Sequence, residues 1–260
     1  MPTLSYGLHV HPAPSAAPRW GDGARVWNAA AAAGVRGFVW KAHEEHTVRR
    51  CRELPGRPVQ AIGSASLNPW AGFDDVIEAV DEGALWVWGP TQTTDGQIGW
   101  SLPLSREWNR LAGWLADWSR PLVLATGHLG AEGRAAFAEV AAANERLVCS
   151  ITHSLSVPLG EGRQPAAAGC AFEIDAFTFA FPPDGLPAGD PKQHVDALLD
   201  AGALVYFTSD GGQATTGDPF LFGARVLDRL ADVIGEEMAT VIGVDNPAVL
   251  VGRLEPAVAR

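Results

Sequence analysis

Short apolar runs alternate with longer amphipathic stretches along most of the chain. Residues 4–10, 35–40, 59–64, 84–88, 122–125, 147–151, 171–176 and 204–208 are brief, apolar and often rich in Val, Ile or aromatics. Continuous apolar runs of that length are what strands buried on both faces require. Between them, residues 22–33, 43–54, 73–82, 105–119, 132–143, 192–201 and 220–233 read as helices, with 236–241 and 247–251 closing the chain. Their ends carry the expected punctuation. The first stops at Gly34 and the third at Gly83, the second halts before Pro55, and Ser105 stands where the fourth would be capped. Residues 155–168 are rich in Pro and Gly, which predicts an irregular sixth crossover, while 89–103 and 181–191 read as long βα loops.

Eight strands alternating with helices predict a parallel sheet with helical crossovers. Over 260 residues, that repeat favours an α/β fold closed as a single-domain (β/α)8 TIM barrel, for which about 250 residues is typical. No stretch reads as a linker, so residues 1–260 are expected to form one domain.

In such a barrel, chemistry sits where the strands end at their C-terminal side. His9 and His11 leave the first strand; side chains two apart on a strand share a face, so both imidazoles can grip one ion. Lys41 and His43 follow the second strand, Gly127-His128 the fifth and Thr152-His153 the sixth. Glu173 and Asp175 lie on the seventh, and Ser209-Asp210-Gly211-Gly212 ends the eighth. His46 and His194 fall well inside predicted helices, where exposed positions are expected. Imidazoles and carboxylates gathered at one end of a barrel point to a metal-dependent hydrolase.

His9-Val10-His11, His128, His153 and Asp210, at these strand ends, resemble the amidohydrolase superfamily. The segment Asp245-Asn246-Pro247-Ala248, ahead of Leu250 and Gly252, is similar to that superfamily's closing helix. Within it the chain looks like a poorly characterised branch of small amidohydrolases in which Trp40-Lys41-Ala42-His43 and Ser209-Asp210-Gly211 recur. The resemblance implies that His9 and His11 bind the more buried metal and that Asp210 completes its shell. It implies further that His128 and His153 hold a second metal, or that in a one-metal site one of them ligates and the other contacts substrate. Asp210 would take the proton of the attacking water, and His153 joins it as a catalytic candidate. The cofactor would be one or two divalent ions, zinc first, with Mn, Fe or Co as alternatives.

Lys41 stands apart. Two-metal members of the superfamily bridge their ions with a carboxylated lysine, usually from the fourth strand. Here that strand carries Trp86 and Trp88, and Lys41 and Lys192 are the only lysines. A carboxylated Lys41 in the metal site is one reading, since only an amine that can lose its proton can be carboxylated. A salt-bridged or substrate-binding ammonium is the second, and a solvent-exposed lysine the third. His43, Glu173 and Trp88 are the candidates for substrate contact.

The reaction expected is attack of a metal-activated water on an amide, cyclic amide or lactone carbonyl. Decarboxylase, deaminase and phosphoesterase chemistry on the same scaffold are the alternatives, with a non-catalytic metal-binding barrel last. A net charge of −11 argues against nucleic acid as a partner. Three cysteines with no Cys-x-x-Cys pair point to a reducing, cytoplasmic setting. No apolar run approaches the roughly 18 residues of a membrane span. The expected partner is a small-molecule substrate; the oligomeric state is left open, with a homodimer as one option.

Overall fold

The eight predicted strand runs all form strands in a computed structural model that describes residues 4–182 and 190–254. They are β1 (Tyr6–Val10), β2 (Gly37–Trp40), β3 (Gln60–Ile62), β4 (Ser64–Ser66), β5 (Trp86–Trp88), β6 (Leu122–Ala125), β7 (Leu147–Ile151), β8 (Ala171–Asp175) and β9 (Leu204–Thr208). β3 and β4 together continue the predicted third strand, interrupted at Gly63. Pairing is parallel and follows chain order, β1-β2-β3 in one sheet and β4 to β9 in the other. β9 returns to β1 through a parallel Val10–Gly211 bridge, and His11 N–H donates to Gly211 O at 2.9 Å. Sequential parallel order with this return is an α/β barrel, although among the described residues no ladder joins β3 to β4.

The crossovers are α1 (Gly23–Ala32), α2 (Val48–Arg52), α3 (Phe73–Asp81), α4 (Trp108–Ala116), α5 (Ala131–Ala142), α6 (Leu159–Ala167), α7 (Ala176–Ala180), α8 (Pro191–Asp200) and α9 (Pro219–Ile234). α10 (Glu236–Thr240) and α11 (Asn246–Gly252) flank a π-helical segment, Val241–Asp245. Three of these differ from the sequence expectation. α2 begins at Val48 rather than near 43, so His43 lies in a loop. The crossover expected to be irregular is a 3-10 turn, Ser154–Ser156, followed by α6 with Pro165 inside it. Burial of Gly162, Pro165 and Ala166 fixes that helix, so tertiary packing overrides weak local propensity. α7 was not expected; Asp175 caps it, accepting a hydrogen bond from Thr178 N–H at 2.6 Å. Most of the expected loop 181–191 lies outside the described residues.

Two apolar layers result. Tyr6, Leu8, Val39, Ile62, Trp86, Trp88, Val123 and Tyr206 fill the interior, and Leu250, Val251 and Leu254 close its lower end. Val10, Phe38, Val87, Leu124 and Phe207 face outward onto the helices instead. Such alternation is what a barrel packed on both faces requires. It leaves the C-terminal end of the interior to polar side chains. Among the described residues no helix is long and apolar enough to cross a membrane.

His194 is buried in α8 beside Val195 and Leu198, not exposed as expected, because the helix turns that face inward. Burial pushes its imidazole down to about 4, and its Nε2 has no hydrogen-bond partner. The folded protein therefore resists a proton that the unfolded chain accepts near pH 6.5. Stability should be whole above that value and fall as pH drops from 6.5 toward 4. Urea unfolding at pH 7.0 and 4.5 is expected to show a loss about 2 kcal/mol smaller in His194→Leu than in wild type.

Candidate metal centre and substrate cavity

β1 carries an irregularity that aims the site. Between Gly7 and Val10 it advances three residues while β2 advances two, from Phe38 to Trp40. One extra residue on one strand is a bulge, and bulges re-aim side chains beside active sites. Leu8 therefore packs in the interior while His9, the next residue, also turns inward, and His11 follows two further on. Two glycines fix the opposite walls. Gly212 (φ +98°) brings its backbone against β1, where a Cβ would stand 2.6 Å from His11 O. Gly127 (φ +60°) makes the turn that presents His128, and a Cβ there would stand 2.5 Å from Gly89 O. Either position excludes a larger residue.

Three ligand atoms converge. His9 Nε2 and His11 Nε2 lie 3.2 Å apart, and Asp210 Oδ1 is 3.2 Å from the first and 3.1 Å from the second. Lys41 Nζ adds a fourth group 3.0 Å from His9 Nε2. Asp210 Oδ1 is buried with no conventional hydrogen-bond partner. Asp210 also has a left-handed backbone (φ +43°), as does His153 (φ +51°). Strain of that kind persists only where the surroundings impose it.

The outer nitrogens of the imidazoles are held from behind. His9 Nδ1 meets Glu173 Oε1 at 3.0 Å, and His153 Nδ1 meets Asp175 Oδ2 at 3.0 Å. His43 Nδ1 meets Thr91 Oγ1 at 2.8 Å, whose hydroxyl donates onward to Asn68 Oδ1. His128 Nδ1 bonds to Gly99 O. With Nδ1 acting as donor, His9, His43 and His128 keep Nε2 as the lone-pair nitrogen, which is how partners behind a site set the tautomer of a metal-binding histidine.

Burial holds His9, His11, His43 and His128 well below the usual imidazole range, so all four are neutral, the ligating form. His153 differs. Burial opposes its charge, but Asp175, then Asp210 and Glu173, outweigh it and raise the imidazole to about 9. Burial raises Glu173 to about 8 and lowers Lys41 to about 8.

Together these groups floor a cavity of about 220 Å³. His9, His11, Lys41, His43, His128, His153 and Asp210 all line it. Two expected substrate contacts do not. Glu173 is fully buried behind His9, where its carboxylate orients that ring. Trp88 is fully buried too, beneath Lys41 Nζ, which stands 4.3 Å from its ring centroid. Both side chains point into the interior layer below the cavity, so neither reaches its surface. The aromatic wall is Trp100, stacked on His128 at 4.5 Å. Arg19, Gln213, Ile98 and Phe177 also line the cavity. Sequence reading overlooked Arg19 and Gln213, because their loops carry no periodicity; the signal available was a charged residue in the loop after β1.

The donor chemistry fits a divalent metal. Neutral imidazoles and a carboxylate are the usual set for zinc and its neighbours, and the orphaned Asp210 Oδ1 is an acceptor that an ion would satisfy. His9, His11 and Asp210 form a cluster close enough to share one ion. Two further clusters, His9-His153-Glu173 and His153-Asp175-Asp210, depend on nitrogens already tied to carboxylates.

Residues 5–102 match the model of a family described as a family of unknown function, DUF6282. No curated protein matches the chain. Solved structures of similar fold include an amidohydrolase (TM-score 0.62, 12% identity, 98% of this chain and 75% of that one). An ochratoxinase from A. niger superposes with TM-score 0.61 at 12% identity, over 96% of this chain and 71% of its own. A beta-aspartyl dipeptidase from Fervidobacterium islandicum, in complex with beta-Asp-Leu dipeptide, gives 0.56 at 16%, covering 96% and 73%. The fold is therefore an α/β barrel of the type these hydrolases share.

Proposed function

We propose that the chain is a metal-dependent hydrolase of the amidohydrolase superfamily, acting on an amide, cyclic amide or lactone. The observation that carries this reading is the convergence of His9 Nε2, His11 Nε2 and Asp210 Oδ1 on the floor of an open-mouthed cavity. A divalent ion bound there, zinc foremost, would supply a Lewis acid for the carbonyl oxygen and acidify a water. His9, His11 and Asp210 would hold it, and His128 Nε2 would serve a second ion, which His153 would join only after losing its proton. The hydrolases among proteins of this fold support the reading.

The chain's own groups do the rest. Asp210 takes the proton of the attacking water and passes it to the leaving group. His153, held protonated near neutral pH by Asp175, donates a hydrogen bond toward the oxygen on which charge develops. Glu173 keeps His9 in the ligating tautomer. Carboxylated Lys41 extends the ligand set; its ammonium form would leave a one-metal site, and its approach to the Trp88 face favours that second reading when CO₂ is absent.

The test is elemental analysis of protein purified after growth with Zn²⁺ or Mn²⁺, followed by a screen of N-acyl amino acids, dipeptides, cyclic amides and lactones. About one or two equivalents of metal in wild type, lost in His11→Ala together with any hydrolysis, is the expected result. A wild type that binds no divalent metal overturns it.

A further inference from the structure

We propose that Arg19 and Gln213 form an anion subsite, so that the substrate class is a small carboxylate bearing an apolar group. The proposal deepens the reading of this cavity as a substrate site. Arg19 and Gln213 face each other across an isolated antiparallel bridge, which places their side chains on one side. Both line the cavity floored by the histidines. The Arg19 guanidinium is poorly used by the protein itself. Its Nη2 donates to Ser15 Oγ at 3.0 Å, but its Nε is buried with no partner. Among the described residues no carboxylate oxygen lies within 4.0 Å of it. Gln213 Oε1 is likewise buried and unpartnered.

A planar cation with donors to spare, held by one serine at the wall of a cavity, is built to take a carboxylate on its fork. The amide beside it offers a partner to an N–H or O–H next to that carboxylate. The other wall is apolar, made by Ile98, Trp100 and Phe177. This is an unusual placement in a chain with 19 basic and 30 acidic residues. A cation at the substrate's doorway offsets the repulsion that so acidic a surface exerts on an anion.

Isothermal titration calorimetry with 3-phenylpropanoate and the neutral, non-hydrolysable 3-phenylpropan-1-ol tests this on the protein as purified, with metal content measured alongside. Wild type is expected to prefer the carboxylate by about tenfold or more. Arg19→Gln is expected to lose that preference with its metal content unchanged. Arg19→Lys, which keeps the charge without the fork and serves if Arg19→Gln is unstable, is expected to keep the preference at about three- to tenfold weaker affinity. Equal binding of the two probes by wild type overturns the proposal. So does a preference that survives in Arg19→Gln, since another cation would then hold the carboxylate. A protein without metal would refute the hydrolase reading yet leave this comparison intact.

Discussion

Asp210→Asn is expected to fold as wild type does, to keep its metal, and to lose turnover by about a thousandfold. Asn tolerates the left-handed backbone that Asp210 adopts (φ +43°) almost as well as Asp does, so no strain is added. It retains an Oδ1 acceptor opposite the Nε2 atoms of His9 and His11, each now 3.1–3.2 Å away. What it cannot do is accept a proton. It also withdraws one of the charges that keep the His153 imidazole raised, so that ring would titrate at lower pH. Two readouts separate these effects. Elemental analysis should give metal content within about a factor of two of wild type, whereas a lost ligand or its support costs 10- to 100-fold in affinity. Turnover on any substrate from the screen should fall by about three orders of magnitude. Near-normal turnover would remove Asp210 from the general-base role. Asp210→Ala is a poorer test, because alanine in a left-handed conformation adds roughly 1 kcal/mol of strain.

The barrel was legible because its strands are buried on both faces. Runs such as Leu122–Ala125 and Leu204–Thr208 are apolar throughout, and their bounds could be read directly. The site's raw material was legible for a related reason: chemistry in this architecture gathers at strand ends, and His9, Lys41, His128, His153 and Asp210 all stand there. Orientation was not legible. His9 points inward only because β1 gains a residue against β2 between Gly7 and Val10, and a bulge leaves no trace in composition. Glu173 and Asp175 could be placed on one strand face, but not assigned to His9 and His153, since that pairing depends on the stagger between β1, β7 and β8. Trp88 was expected at the cavity because it ends a strand; the pleat sends it below Lys41, and Trp100, from a loop without periodicity, takes the wall. Arg19 shows the same limit, since loop residues meet a cavity through tertiary geometry alone.

Lys41→Ala is expected to cut metal content from about two equivalents to about one, and acetate or propionate is expected to restore part of it. Lys41 is 1% exposed, its Nζ lies 3.0 Å from His9 Nε2, and among the described residues no carboxylate pairs with it. A buried amine so placed is costly unless it does something. Burial lowers it to about 8, which leaves about a tenth of it uncharged at pH 7. That fraction can attack the carbon of CO₂: the N–C bond forms as one C=O π bond opens, the amine proton leaves to solvent, and the two carbamate oxygens stand two bonds beyond Nζ. Arginine has no such route, so Lys41→Arg should behave as Lys41→Ala does but without rescue, because its side chain fills the space a short acid would occupy. If Lys41 instead remains an ammonium above Trp88, Lys41→Ala keeps its metal and carboxylic acids change nothing. Lys41→Met supplies the control for folding. Removing a buried amine while keeping its volume should hold or raise the melting temperature of the metal-free protein, so a fall in metal content there reports on the site and not on a damaged barrel.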